Sequence, residues 1–188
     1  MADGHLSEHR LTINLNKKDK MHLELFKNHI KFKGEIRDKK EDTNFKKGSD
    51  KSSLEINSTQ IVKDLNKFMP IGKKSDKIRV PHIDKSLYKH FIRGYFDGDG
   101  FVVKSKKRIG FCGNIHFLKS IKQIFIDFGL ATERDGYLRI YSNSYYGELN
   151  YSKIVASKIM DWMYNDASIY LKRKYNDFYQ CHSGFKTS

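Results

Sequence analysis

Apolar positions along this chain follow two spacings, and the two alternate in a repeating order. Phe117, Ile121, Ile124, Phe125 and Phe128 lie three or four apart, the spacing of a helix with one buried face. Ile61, Val62, Leu65 and Phe68 repeat it, as do Val155, Ala156, Ile159 and Trp162, and Met21 to Ile30 predicts a further helix. Leu87, Phe91 and Tyr95 share another helical face, which Ile92 and Phe96 widen. Pro81 and Asp84 mark the start of that helix, with Asp84 as its N-cap. Gly94 sits inside it. An interior glycine costs about 1 kcal/mol relative to alanine, so it predicts a packing reason, a second backbone pressed against it. Strands are predicted where the period drops to two, as at Leu138-Arg139-Ile140, and at Val102-Val103-Lys104. Asp38 to Lys51 is charged and poor in apolar residues and is predicted to be a flexible loop.

The order repeats with a period of about 95 residues. Ala2-Asp3-Gly4 matches Gly98-Asp99-Gly100, and Arg10-Leu11-Thr12-Ile13 matches Arg108-Ile109-Gly110-Phe111. Leu54 to Ser58 leads into one helix as Leu149 to Ser152 leads into another, with Ser58 and Ser152 in matching N-cap positions. Each half reads strand–strand–helix–strand–strand–helix after a motif helix, and the halves are predicted as 1–78 and 79–188. Met1-Ala2-Asp3-Gly4 reads as only the tail of the first motif helix. The Phe91–Tyr95 face is therefore expected to be exposed in this 188-residue form, which is then less stable or self-associates through it, whereas a chain with the first motif helix present is expected to be a monomer.

The chain carries 36 Lys and Arg against 22 Asp and Glu, a formal net charge of +14. A charge this positive points to a polyanion, most simply nucleic acid. No stretch of some 18 apolar residues spans a membrane, and no signal peptide is visible. Cys112 and Cys181 lack metal-site spacing and suit a reducing compartment, cytoplasmic or organellar, rather than secretion.

Residues 91–100 read Phe-Ile-Arg-Gly-Tyr-Phe-Asp-Gly-Asp-Gly. Asp97 and Asp99 end a helix, where negative charge is disfavoured, so they call for a counter-ion such as a divalent metal. An EF-hand is excluded, because no carboxylate-rich loop closing on Glu follows. The decapeptide resembles the LAGLIDADG motif of homing endonucleases, with the family's second acid on Asp99. The element order resembles that family over nearly the whole chain. The resemblance implies an α+β fold of two pseudo-symmetric αββαββα halves, whose antiparallel sheets form a DNA-binding saddle.

It also implies a site-specific DNA endonuclease, intron-encoded or otherwise mobile, that makes magnesium-dependent double-strand breaks in a long duplex target. The alternative on the same fold is a non-cleaving nucleic-acid binder, an RNA maturase or transcriptional regulator, or an inactive remnant. Metal would sit at Asp99 and Asp3, beside Gly98 and Ala2, while Asp97 supports the motif. By position Lys17 is the best match to a polar residue near the attacking water, and Asn114 or a neighbour is its repeat mate. For Lys17 the competing role is a phosphate contact, and for Asn114 a helix N-cap. Candidate DNA contacts are Arg10, Asn14, Asn16, Lys18, Lys46 and Lys47 in the first half. In the second they are Lys104, Lys106, Lys107, Arg108 and Arg139. Phosphate contact is favoured for any single lysine.

Overall fold

The computed structural model describes residues 4–43, 46–68, 79–142 and 144–180, without the side chains of 41–43, 46 and 47. The chain divides into two compact units, 1–74 and 75–188. The sequence-based boundary at 78/79 falls at the edge of 69–78, outside the described residues.

The first unit runs β1 (Gly4–Leu6), β2 (Arg10–Asn16), α1 (Lys20–His29), β3 (Ile36–Thr43), β4 (Lys46–Asn57) and α2 (Thr59–Asn66). Its antiparallel sheet has the order β1-β2-β4-β3. Alternation on β2 and β4 sends Leu11, Leu54 and Ile56 to one face, where Leu6, Leu23 and Val62 join them in the core. Ser58 caps α2, its hydroxyl accepting from the Ile61 N–H at 3.2 Å.

The second unit runs α3 (Tyr88–Asp99), β5 (Gly100–Val103), β6 (Arg108–Asn114), α4 (Ile115–Asp127), β7 (Tyr137–Ile140), β8 (Tyr146–Ser152), α5 (Lys153–Tyr164) and α6 (Lys172–Tyr179). Its sheet, β5-β6-β8-β7, has the same topology. Ile109, Phe111, Leu149 and Tyr151 face the core, where α3 contributes Ile92, Tyr95 and Phe96, and α4 contributes Phe117, Ile121 and Phe125. Aromatic rings run through it: Phe96–Phe111 at 5.1 Å, Phe111–Phe125 at 5.7 Å and Phe125–Trp162 at 6.1 Å. Asp84 caps the short 3-10 turn that leads into α3, accepting from the Ser86 N–H at 2.8 Å. At the other end of α3 the chain turns straight into β5 at Gly100. A Cβ there would collide with the Phe96 ring and carbonyl oxygen, so the turn requires glycine.

The ladders fix the repeat residue by residue. Gly4 faces Ile13 as Gly100 faces Phe111, and Ile13 faces Leu54 as Phe111 faces Leu149. Asn57 and Ser152 occupy the same rung, opposite Arg10 and Arg108. This corrects the matching of Ser58 with Ser152. The Ser58 N–H donates to His9 O at 3.0 Å as the Lys153 N–H donates to Lys107 O at 2.9 Å, so Ser58 corresponds to Lys153. The second unit lacks the one-residue hinge between strand and helix. Lys153 makes the turn at φ 53°, and Ser152 forms no side-chain cap.

Two further expectations change. Asp38–Lys51 is not a loop but most of the β3–β4 hairpin. Its strands lack apolar alternation because one face is polar throughout and the hairpin end carries charge. Gly48, at φ 66°, sits where the register slips by one residue between Glu41 and Thr43, a β-bulge that favours the left-handed conformation. The Phe91–Tyr95 face is not open as a whole. Tyr95 is buried and Phe91 is half-buried against Phe117, at 6.2 Å between rings. The i to i+4 step turns Tyr95 toward the core, and the exposed stripe of the segment runs through Leu87, His90 and Gly94. Among the described residues, nothing lies within 4 Å of where a Gly94 Cβ would be.

Candidate nucleic-acid interface and metal centre

Strand alternation that buries Leu11 and Leu54 turns a polar set to the other face of the first sheet. Arg10, Thr12, Asn14 and Asn16 on β2 face Asn57, Glu55, Ser53 and Lys51 on β4. Ser53 and Lys51 in turn face Arg37 and Lys39 on β3. Arg10 donates to Asn57 Oδ1 at 2.9 Å and to Glu55 Oε2 at 3.1 Å. In the middle row, Asn14 Oδ1 and Ser53 Oγ are both buried without a hydrogen-bond partner. Unsatisfied buried polar atoms are rare and mark this row as incomplete on its own. Sequence reasoning found Arg10, Asn14 and Asn16 but missed Arg37, Lys39, Lys51 and Ser53, which lie in or beside the supposed loop. The strand signal there was the pairing of charged runs on either side of Gly48.

Lys17 lies on the opposite side of the strand end, in a 3-10 turn that Asn16 caps through the Lys18 N–H. Its ammonium is 3.4 Å from Asp38, which Lys20 approaches at 3.1 Å and the Ser52 hydroxyl at 2.8 Å. These bonds, Ser52 foremost, hold the Asp38 carboxyl below the usual aspartate range. Asn114 ends β6 as Asn16 ends β2, so its repeat mate is Asn16 and not Lys17. It acts as a helix N-cap: Asn114 Oδ1 accepts from the His116 N–H at 2.9 Å and the Phe117 N–H at 3.3 Å.

In the second unit the two motif acids part company. Asp97 points into the core, where Tyr164 donates to Oδ1 at 2.6 Å and the Leu171 N–H to Oδ2 at 3.0 Å. Burial and the Asp97 charge together push the Tyr164 phenol well above its usual range. Asp99 is exposed at the last position of α3. Its charge adds to burial in raising the Tyr95 phenol, and to burial and Glu148 in raising the Cys112 thiol. The counter-ion that the helix end calls for is partly built in. Lys174, which the sequence reading did not single out, donates to Phe96 O at 2.8 Å and Gly98 O at 3.0 Å. Only its place on the buried face of α6 could have flagged it.

Lys104, Lys106, Lys107 and Arg108 lie at the β5–β6 turn, and with Ser105, Ser152 and Lys153 they line a basic crevice. Lys104 pairs with Asp177 at 2.6 Å, and Lys107 lies 5.7 Å from the centre of the Phe178 ring. Arg108 Nε is buried without a partner. Arg139 is exposed, 3.6 Å from Glu148 and 5.9 Å from the Tyr141 ring. The outer face of this sheet is less polar than the first and carries Phe101 and Tyr137. Ala2 and Asp3 are outside the described residues; Lys46 and Lys47 are in β4, their side chains outside the description.

Among the described residues, no three His, Cys, Asp or Glu side chains gather as a metal cage. One exposed carboxylate still fits Mg²⁺, which keeps several waters and often takes one or two carboxylates together with substrate phosphate oxygens. No helix among the described residues is long and apolar enough to cross a membrane.

Residues 86–146 match the family model described as a LAGLIDADG-like domain. No curated protein matches the chain. Among solved structures, the homing endonuclease I-WcaI bound to its DNA recognition sequence is 13% identical with a TM-score of 0.60, over 94% of this chain and 80% of that one. Mesophilic variants of the homing endonuclease I-DmoI give 16% and 0.57, over 86% and 83%. I-SmaMI bound to an uncleaved DNA target in the presence of calcium ions gives 12% and 0.53, over 83% and 73%. With the motif on α3 and the domain match around it, residues 86–146 are similar to a LAGLIDADG-like domain, and the chain has the fold of the LAGLIDADG homing endonucleases.

Proposed function

We propose that the chain is a site-specific DNA endonuclease whose Asp99 holds a divalent cation, Mg²⁺ in the cell, against the scissile phosphate. The observation that carries the reading is the exposed Asp99 carboxylate at the end of the motif helix, its neighbour Asp97 turned into the core. A bound cation would polarise the phosphate and lower the pKa of the attacking water. Asp99 binds and orients that ion, and Asp3 is its proposed counterpart from the first half. The polar face of the first sheet offers side-chain donors and acceptors on successive rungs of β2, β4 and β3. Arg10, Asn14, Asn16, Arg37 and Lys39 are proposed to contact DNA there. The basic turn Lys104–Arg108 and Lys18 supply phosphate contacts, as does Arg139 at the sheet edge. Double-stranded DNA is the proposed partner.

The test uses a duplex recovered by selection from a randomised pool. Asp99→Asn should abolish Mg²⁺-dependent cutting and leave DNA affinity within a few-fold, because affinity rests on phosphate contacts. Binding should also weaken steeply with salt, by about 10³–10⁵ between about 50 and 200 mM if about 6–10 phosphates are neutralised. Steep salt dependence without cutting, in wild type and variant alike, would leave a binder on this fold. A wild-type cutting rate in Asp99→Asn would remove the metal role.

A further inference from the structure

We infer that Lys174 is a positioning residue for the Asp99 carboxylate, an inference that rests on the reading of Asp99 as the metal-holding acid. Lys174 is 6% exposed, and its ammonium donates to the carbonyls of Phe96 at 2.8 Å and Gly98 at 3.0 Å. It also lies 5.6 Å from the centre of the Phe96 ring. A buried ammonium is costly unless well matched, and here it meets the carbonyl end of a helix that also carries two carboxylates. The carbonyl end of α3 bears the negative end of the helix dipole. Phe96 O already accepts from the Gly100 N–H, and Lys174 adds a second bond to it and one to Gly98 O, so that a positive charge sits at the helix end that carries Asp97 and Asp99.

The choice of carbonyls ties this contact to Asp99. The Gly98 carbonyl belongs to the peptide bond that leads into Asp99, so holding it fixes the peptide plane from which the Asp99 side chain departs. On the far side Gly100 is constrained by its close approach to Phe96. Asp99 is thus held between two backbone anchors. The lysine is itself held: its N–H donates to Leu171 O at 3.0 Å, and the Leu171 N–H donates to Asp97 Oδ2 at 3.0 Å. The start of α6 and the end of α3 are joined by reciprocal bonds, each using a charged side chain of one against the backbone of the other. A lysine that only secured α6 would contribute stability. A lysine that positions Asp99 must also tune metal binding.

The experiment uses the full chain with Lys174→Met, which keeps the length and loses the charge, and Lys174→Arg, which keeps the charge. Exposed Lys172→Met, two residues earlier in α6, controls for charge removal. Tb³⁺ binding, read by tyrosine-sensitised luminescence and checked for loss in Asp99→Asn, reports the metal site without cutting. Mg²⁺-dependent cleavage and DNA affinity in EDTA complete the set. Lys174→Met should weaken Tb³⁺ binding about tenfold and lower kcat about 10- to 100-fold, with DNA affinity unchanged. Lys174→Arg should recover most of both, and Lys172→Met should match wild type.

A Lys174→Met protein with a lower melting temperature but wild-type Tb³⁺ affinity and kcat would overturn the inference and leave only support of α6. If Lys174→Met does not fold, Lys174→Gln, shorter but still a donor, is measured in its place with the same two outcomes. A wild-type chain that neither cuts nor binds Tb³⁺ through Asp99 would overturn the nuclease reading, and the inference with it.

Discussion

In residues 1–74 six described side chains, Leu6, Leu11, Leu23, Leu54, Ile56 and Val62, make the buried core against the sheet β1-β2-β4-β3. In 75–188 nineteen are buried against β5-β6-β8-β7, a sheet of the same order and matching register. The difference comes from what lies on the apolar face. The second sheet has α3 and Phe178 of α6 over it, and its strands answer with Phe111 and Tyr151 where the first has Ile13 and Ile56. Among the described residues, the first unit has no counterpart of α3. The outer faces differ in the opposite sense, that of the first unit being polar on every strand. Topology is therefore set by strand alternation and hairpin pairing, which both units share. Core size and surface chemistry vary independently on top of it. The unit with the larger core carries the exposed acid, and the unit with the smaller core carries the fuller set of polar side chains.

The sharpest way to break this comparison is to cut the same rung in both units. Phe111 and Ile13 are register equivalents. Phe111 is fully buried between Phe96 and Phe125, and Ile13 is half-buried. Phe111→Ala should cost about 3–5 kcal/mol, while Ile13→Ala should fall at or below the low end of the roughly 2–5 kcal/mol range for buried aliphatics. Denaturant melts read by peptide-resolved hydrogen exchange separate the two units. Equal losses would mean that the small core is as tightly packed as the large one.

The parts of this fold legible in the sequence were those where a buried face imposes a period. The apolar stripe of α4 carries strong one-sided burial, the Arg10/Arg108 match sits beside the buried Leu11 and Ile109, and β7 forms where the alternation placed it although Leu138 is only half-buried and Ile140 is exposed. Other features depend on contacts between distant residues. Cross-strand pairing makes Arg37–Lys39 and Lys51 into strands without an apolar period, because Arg37, Asp38, Lys39 and Lys40 are exposed on both faces of β3. The matching of Ser58 with Ser152 failed on one residue, a hinge present in one unit and absent in the other. Asp99 was legible because the motif spells it out. Lys174 was not, since a buried lysine reads as surface until its two carbonyl partners on α3 are known.

That missing hinge gives a smaller, cleaner contrast. Ser58 accepts from the Ile61 N–H, so Ser58→Ala should cost about 1 kcal/mol. Ser152 holds the corresponding place before α5 in sequence but makes no cap bond and is exposed, so Ser152→Ala should stay within about 0.5 kcal/mol. Thermal melts of the two variants decide it. A loss at Ser152 equal to that at Ser58 would mean that Ser152 caps α5 in solution and that the two strand-to-helix turns are equivalent after all.

The smallest expected effect is a difference in how the units respond to mild acid. His90, on the exposed stripe of α3, has its pKa lowered from 6.5 by partial desolvation first, then by the charges of Arg93 and Lys89, against a weaker opposing pull from Asp166. Its Nδ1 lies 3.0 Å from Arg93 Nη2, a contact in which only the neutral ring can accept. With the folded pKa below the unfolded one, the unfolded chain binds more protons in this window. The stabilising contribution is present above pH 6.5 and is lost as pH falls through that value toward the folded pKa. The first unit carries its resolved shifts on carboxylates: Asp38 and Asp64 are held below 3.8, so their contribution is lost only in stronger acid. Hydrogen exchange, corrected for intrinsic rates, should show α3 losing protection between about pH 7.5 and 5.5 while β2 and β4 hold theirs. His90→Gln, which keeps an acceptor for Arg93 but cannot titrate, should flatten the α3 response. If wild type and variant lose protection alike, His90 is not the group that sets the two units apart.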